Sequence, residues 1–409
     1  MLKLHFDLND PDFVADPYPL LAAYRENTPI FYDEQWQKTF FFRYEDIAAL
    51  LKDKRLGRQV LHAMTREELG WSPPNPAQAP FDHFQSLHML DREPPDHTRI
   101  KTLVTKAFSP QRVEGLRGKI ETIVNDLLDR VESAGKTDIH HDLAEPLPVT
   151  VIAELLGVPE EHRHKLRPWS ADIVKLYELG YTEVQVEQAS KAVVEFTEFL
   201  QSLVEERRAR PQDDLITALV QVEEHGQKLT EDELIANCIL LLNAGHEATV
   251  NGTTAGMLAL FRNPEAMDTL VREAAATKNS PLFKTTIDEL LRYDTPLPMF
   301  ERWVLEDVEY KGHVLKRGSE VGLLYASGNR DPRRFDWPDK LVLDRKDNPH
   351  LTFGMGIHYC VGAPLARLEM QIAFETLLRR LPHIRLATDK LEYGSGFVIR
   401  GLKSLPVLI

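Results

Sequence analysis

Two cysteines, Cys238 and Cys360, stand in a chain of 409 residues, and only Cys360 has neighbours that could make it reactive. It closes the run Phe353-Gly-Met-Gly-Ile-His-Tyr-Cys360, and Gly362 follows. Three glycines within ten residues permit a tight backbone path. From Ala363 to Leu381 the apolar spacing predicts an amphipathic helix, with Pro364 suited to its first turn. A thiol at the mouth of a helix sits in a positive field that favours thiolate, and loop amides can donate to its sulfur. This chemistry suits a lone axial thiolate ligand. For an arbitrary cysteine the plainer reading is a buried thiol in a glycine-rich turn.

Other groups have suggestive spacing. Ala244-Gly-His-Glu-Ala-Thr249 places an acid and an alcohol beside the most apolar stretch of the chain. Glu289 and Arg292, three apart, are neighbours on a helix face. His97 and Lys101, four apart after Pro94-Pro95, fall on one face of a new helix. Several motifs fail. His246-Glu247 begins a zinc H-E-x-x-H pattern, but Val250 stands where the second histidine belongs. Gly354-x-Gly356 lacks the third glycine of a dinucleotide fingerprint, since Tyr359 occupies it. No nucleophile elbow or P-loop occurs, and His140-His141 and His162/His164 read as surface polar residues.

The pattern Phe353-x-x-Gly356-x-His358-x-Cys360-x-Gly362 resembles the haem-binding loop of cytochrome P450 enzymes. Ala363-Pro-Leu-Ala-Arg-Leu-Glu369 looks like the bacterial soluble members. Glu289-Leu-Leu-Arg292 resembles the family's E-x-x-R pair, and Arg345, before Asn348-Pro-His-Leu351, its third charged partner. Asn329-Arg-Asp-Pro332 resembles another recurring segment. The likeness runs from Asp16-Pro-Tyr-Pro19 to the end of the chain.

The resemblance implies a haem-thiolate monooxygenase that inserts one oxygen atom of O2 into a small, apolar organic substrate, by hydroxylation. Its cofactor would be heme b (iron protoporphyrin IX), with Cys360 as the metal ligand. Phe353, Gly354 and Gly356 would shape the cofactor loop. His97, Lys101, Arg302 and His358 would meet the haem propionates, although Lys101 reads equally well as a solvated helix charge. Glu289, Arg292 and Arg345 would form a structural cluster. Glu247 matches the family's distal acid, but Ala248 stands where an alcohol usually follows. Thr249 lies one step further, about 100° around a helix, so it does not simply substitute; it equally suits packing or bonding to its own helix. Some macrolide hydroxylases of the family share an alanine here and use ordered water and a substrate hydroxyl. By resemblance, the substrate cavity draws on residues 60–93, 165–195, 236–249 and 295–300 and on Phe397. Leu297, Met299, Phe300, Phe397 and Val398 suggest that it is apolar. Electrons would come from a separate ferredoxin or flavodoxin with its NAD(P)H reductase, as no reductase is fused. The alternatives are a peroxide-driven peroxygenase or a non-catalytic haem-binding sensor.

The elements that must position these residues are mostly helices. The clearest starts at Thr230-Glu-Asp-Glu233, a capping box, and runs to Asn263 before Pro264. Its middle is apolar nearly all round, so it is expected to cross the interior. Residues 96–264 read as mainly helical. Strand signals are confined to Phe40-Phe-Phe42, 304–315 with a turn at Gly312, 321–325 and the last fifteen residues. Residues 70–95, rich in proline, read as a long surface loop. The expected fold is mainly α with a small β subdomain, the cytochrome P450 fold (a triangular prism with haem between a long distal and a proximal helix). With no linker visible, it is expected as a single domain over 1–409.

Composition excludes other classes. With 49 Lys and Arg against 63 Asp and Glu, the net charge of −14 argues against binding nucleic acid. No apolar run reaches the length of a membrane span. No secretory leader opens the chain, and two cysteines make no disulfide framework, so the expected location is cytoplasmic.

Overall fold

The structure, a computed structural model, describes residues 7–132, 135–178, 180–394 and 396–409. They form two compact units. One gathers Met1–Leu56, Arg117–Pro148 and Glu247–Ile409; the other gathers Gly57–Leu116 and Val149–His246.

The first unit holds the sheets. A five-stranded sheet runs in the order Ile30–Asp33, Lys38–Phe41, Glu320–Leu323, Phe300–Val304, Leu56–Gly57. Lys38–Phe41 pairs parallel to Glu320–Leu323, against which Phe300–Val304 runs antiparallel. Strand alternation sends Phe40 and Phe42 into one apolar cluster, with Leu21, Met299 and Phe397. Phe41 enters another, with Ile47, Val321 and Leu351. Val308–Tyr310 and His313–Leu315 make a hairpin whose turn has left-handed Lys311 and Gly312 (φ 48° and 82°), as the Gly312 signal predicts. Three short strands, Lys136–Asp138, Pro406–Leu408 and Arg385–Leu386, form a further sheet.

The second unit is helical. The 27-residue helix Glu183–Ala209 packs on Leu166–Val174, where Trp169 stacks on Phe196 at 5.0 Å. The expected surface loop at 70–95 is corrected. It contains a helix, Ala79–Leu87, with proline in its first turn and Phe81 and Phe84 buried three apart. Proline at a helix start is favourable, so its abundance there hides a helix rather than excluding one.

The long helix spans Glu231–Phe261, 31 residues. Its capping box is present: the Glu233 amide donates to Thr230 Oγ1 at 3.2 Å, and the Thr230 amide donates to Glu233 Oε2 at 3.0 Å. The helix is α throughout, including the Ala244-Gly245 pair. Among the described residues no helix is long and apolar enough to cross a membrane.

Candidate functional site

The cysteine loop lies in the first unit and is held by its own backbone. The Cys360 amide donates to the Phe353 carbonyl at 3.0 Å, and the Tyr359 amide to Gly356 at 3.1 Å. Gly354 and Gly356 have φ of 68° and 71°, the left-handed region that side chains avoid. At Gly356 a Cβ would also lie 2.5 Å from the Leu51 carbonyl oxygen. The helix Ala363–Arg380 starts three residues after the cysteine, capped by Gly362 with proline in its first turn. Cys360 is exposed at this positive helix end, whereas burial pushes the Cys238 thiol up to about 12. Of the two thiols, only Cys360 is placed to act as a ligand.

Support for the loop comes from the helix Pro281–Tyr293. Glu289 and Arg292 are both fully buried. Arg292 donates its Nε and Nη2 to the Glu289 carboxylate at 2.8 Å each, and Arg345 donates its Nε at 2.9 Å. Arg292 also donates to the carbonyls of Asn329, Pro338 and Lys340. The structure therefore brings all three expected members together. Asn329 carries the support onward: its side chain accepts from the Leu351 amide at 2.6 Å and donates to Thr352 at 3.2 Å. On the other side, Arg367 lies over the Phe353 ring at 4.4 Å and bonds Asp288 at 2.6 Å.

The expected propionate partners divide between the units. Arg302 is buried in the strand Phe300–Val304, donating to the Glu301 carbonyl at 2.8 Å, and His358 is half-buried in the cysteine loop. In the second unit, buried His97 and half-buried Lys101 sit one turn apart on the helix Asp96–Ala107.

The middle of the long helix is closed by packing except on one face. Ala244 is exposed and Gly245, Glu247 and Ala248 are half-buried, while Leu240, Leu242, Thr249 and Val250 are buried. Positions 244, 247 and 248 share a face, and Thr249 lies off it.

One expectation changes. Met299 and Phe397 are 0% and 2% exposed and packed in the core, with Phe397 4.7 Å from the Phe13 ring; only Leu297, Phe300 and Val398 stay part-open. The cations Arg99, Lys106 and Arg112 are each paired within their unit, with Glu233, Glu224 and Asp213 respectively. An open cleft of about 500 Å³ lies among Lys106, Arg112, Asp213 and Gln221, and none of the expected site residues lines it.

Sequence reasoning also passed over Asn243. It is 3% exposed, and neither its amide nitrogen nor its oxygen finds a hydrogen-bond partner among the described residues. Asn27, Asn125, Asn237 and Asn263 all donate to the carbonyl four residues back. Asn243 does not, and it precedes Glu247 by one turn on the same helix. An amide inside an Ile-Leu run was the available signal.

Residues 60–392 match the family described as Cytochrome P450. The chain belongs to that family. It is 40% identical to "Polyketide biosynthesis cytochrome P450 PksS" of Bacillus subtilis (strain 168), across all of this chain and 99% of that one, and the solved PksS structure agrees with TM-score 0.88. "Cytochrome P450 monooxygenase PikC" of Streptomyces venezuelae is 37% identical over 97% of this chain and 92% of its own. A solved structure of P450BioI in complex with hexadec-9Z-enoic acid ligated acyl carrier protein is 34% identical, with TM-score 0.88, covering 98% and 99%. The chain is accordingly a cytochrome P450 monooxygenase with the family's mainly α fold, and members of the family bind heme b. The residues present fit that group: an exposed thiol at a helix head and a glycine cradle closed to larger residues.

Proposed function

We propose that this monooxygenase hydroxylates a largely apolar organic molecule carrying a polar handle, with Cys360 as the thiolate ligand of heme iron. The observation that carries the reading is Cys360 itself, the exposed thiol at the head of the helix Ala363–Arg380, on a loop braced by the buried Glu289–Arg292–Arg345 cluster. When bound, heme b supplies the activation of O2. His97, Lys101, Arg302 and His358 offer the donors that anchor its propionates.

Glu247, half-buried on the open face of the long helix, delivers protons through ordered water. Ala248 contributes no hydroxyl, so the relay is completed by a polar group of the substrate. Asn243, one turn away with both amide atoms buried and unsatisfied, is the residue to recognise such a group. The names of relatives give the class: PksS acts in polyketide biosynthesis, and P450BioI was solved with a fatty acyl group on acyl carrier protein. A long acyl or polyketide-like chain with a carbonyl or hydroxyl combines apolar bulk with the required handle. Electrons come from a ferredoxin or flavodoxin with its NAD(P)H reductase.

Substrate-dependent NAD(P)H consumption with a matching amount of hydroxylated product tests the reading. Equal turnover with hydrogen peroxide and no redox proteins would favour a peroxygenase, and haem binding without turnover of any such chain would favour a sensor.

A further inference from the structure

We propose that His140, His141 and Glu145 form a surface site for a divalent transition-metal ion of the zinc, nickel or cobalt type. In sequence the two histidines read as polar residues facing solvent; the structure adds a third donor, Glu145. Residues His140–Ala144 form a π turn, closed by the Glu145 amide donating to the His140 carbonyl at 2.9 Å. Consecutive residues on an α-helix point about 100° apart. The wider π turn instead aligns residue i with i+5, and so places Glu145 beside both imidazoles. Among the described residues this is the one group of three or more His, Cys, Asp and Glu side chains gathered closely enough to hold an ion, with ligand atoms within 4.8 Å of one another.

One edge of the triangle already has coordinating dimensions. His141 Nδ1 lies 3.2 Å from Glu145 Oε2, and ligands about 2.0–2.2 Å from a tetrahedral zinc stand about 3.4 Å apart. The His140 ring meets that of His141 edge-on at 4.8 Å, and with every ligand atom within 4.8 Å of the others the site needs only the His140 ring to turn toward the existing edge. Two imidazoles and one carboxylate select a transition ion over calcium or magnesium, which take oxygen ligands.

The surroundings are built to hold the turn and not to compete for the ion. Asp138 accepts from the His140 amide and the Leu405 amide, each at 2.9 Å, and from Ser404. Asp142 is turned back to Thr137 and to the Asp138 amide. These two carboxylates fix the backbone and add negative charge beside the ligands. A bound ion would clamp the link between the strand Lys136–Asp138 and the helix Pro146–Leu156.

The test is isothermal titration of the haem-loaded protein with zinc chloride, with cobalt(II) absorption as a second readout and thermal unfolding as a third. The proposal expects one zinc per chain, a cobalt visible band, and a raised unfolding temperature with zinc. His141→Ala and Glu145→Gln are each expected to weaken binding by more than about tenfold, because even outer-sphere changes cost that much. His162→Ala, outside the site, is expected to bind as the parent does. Both site positions are exposed or half-exposed, so the variants fold, and an unchanged unfolding temperature without zinc checks this. No stoichiometric binding, or equal binding by all three variants, overturns the proposal.

Discussion

Replacing Glu289 by Gln removes the charge at the centre of the cluster behind the cysteine loop. The wild-type carboxylate takes six hydrogen bonds, from Arg292, Arg345, Val342 and Asn348. Gln turns an N–H toward donors that are themselves N–H groups, and it leaves Arg292 with no counter-charge at 0% exposure. Removing one partner of a buried ion pair costs about 3–5 kcal/mol. The internal control is Glu26→Gln. Glu26 also receives two hydrogen bonds from one arginine, Arg333, at 2.9 and 2.6 Å, but both side chains are more than 40% exposed. Water screens that pair, and its loss costs about 0–1 kcal/mol. Urea unfolding of the two variants, with unchanged denaturant dependence, measures both costs. The pH dependence gives a second readout. Burial pushes the Glu289 carboxyl up, but the hydrogen bonds and charge of Arg292, then Arg345 and the Val342 amide, hold it below its ordinary value. A carboxyl held low contributes stability above its unfolded pKa and loses it as pH falls through the folded one. The acid side of the stability profile is therefore expected to be steeper in the parent than in Glu289→Gln. A Glu289→Gln cost no larger than that of Glu26→Gln would refute the reasoning.

Glu369 is buried in the helix Ala363–Arg380 with Oε2 unpartnered among the described residues, and burial pushes its carboxyl well above the usual range. Its contribution is favourable below the unfolded pKa and is lost as pH rises toward the raised folded one, so Glu369→Gln is expected to gain stability over the parent as pH rises above the ordinary carboxylate range, measured by unfolding temperature. Asn243→Leu replaces an unsatisfied amide with an apolar side chain and is expected to stabilise the fold by about 1–3 kcal/mol while weakening spin-shift binding of carbonyl-bearing chains relative to plain hydrocarbons; equal loss for both ligand types would count against recognition by Asn243. Glu247→Gln is expected to slow product formation by about 10²–10⁴-fold, with Thr249→Val mild and Ala248→Thr improving coupling for substrates that lack a polar handle; severe uncoupling in Thr249→Val would make Thr249 the working alcohol.

Much of the site is written in short stretches of sequence because its chemistry is local. Gly354 and Gly356 take left-handed backbone, Thr230 and Glu233 cap each other, and Glu289 and Arg292 share a helix face, so each is legible from spacing alone. Features made by distant pairing are not. Lys136–Asp138 is three residues long and becomes a strand only through Pro406–Leu408, some 270 positions away. Glu145 joins His140 only because the turn is π, which residue spacing on an α-helix does not anticipate. The pairing of Lys106 with Glu224 and of Arg112 with Asp213 is likewise tertiary. Met299 and Phe397 are apolar enough for either a cavity or a core, and only the packing against Phe13 and Phe40 decides.

The central claim is that Cys360 supplies a thiolate to heme iron, and the absorption spectrum of the reduced protein under carbon monoxide tests it most directly. The parent is expected to show the band position typical of thiolate ligation, and Cys360→Ser to lose it while Cys238→Ser keeps it. A histidine-type band in the folded parent, or a thiolate band that survives in Cys360→Ser, would contradict the assignment.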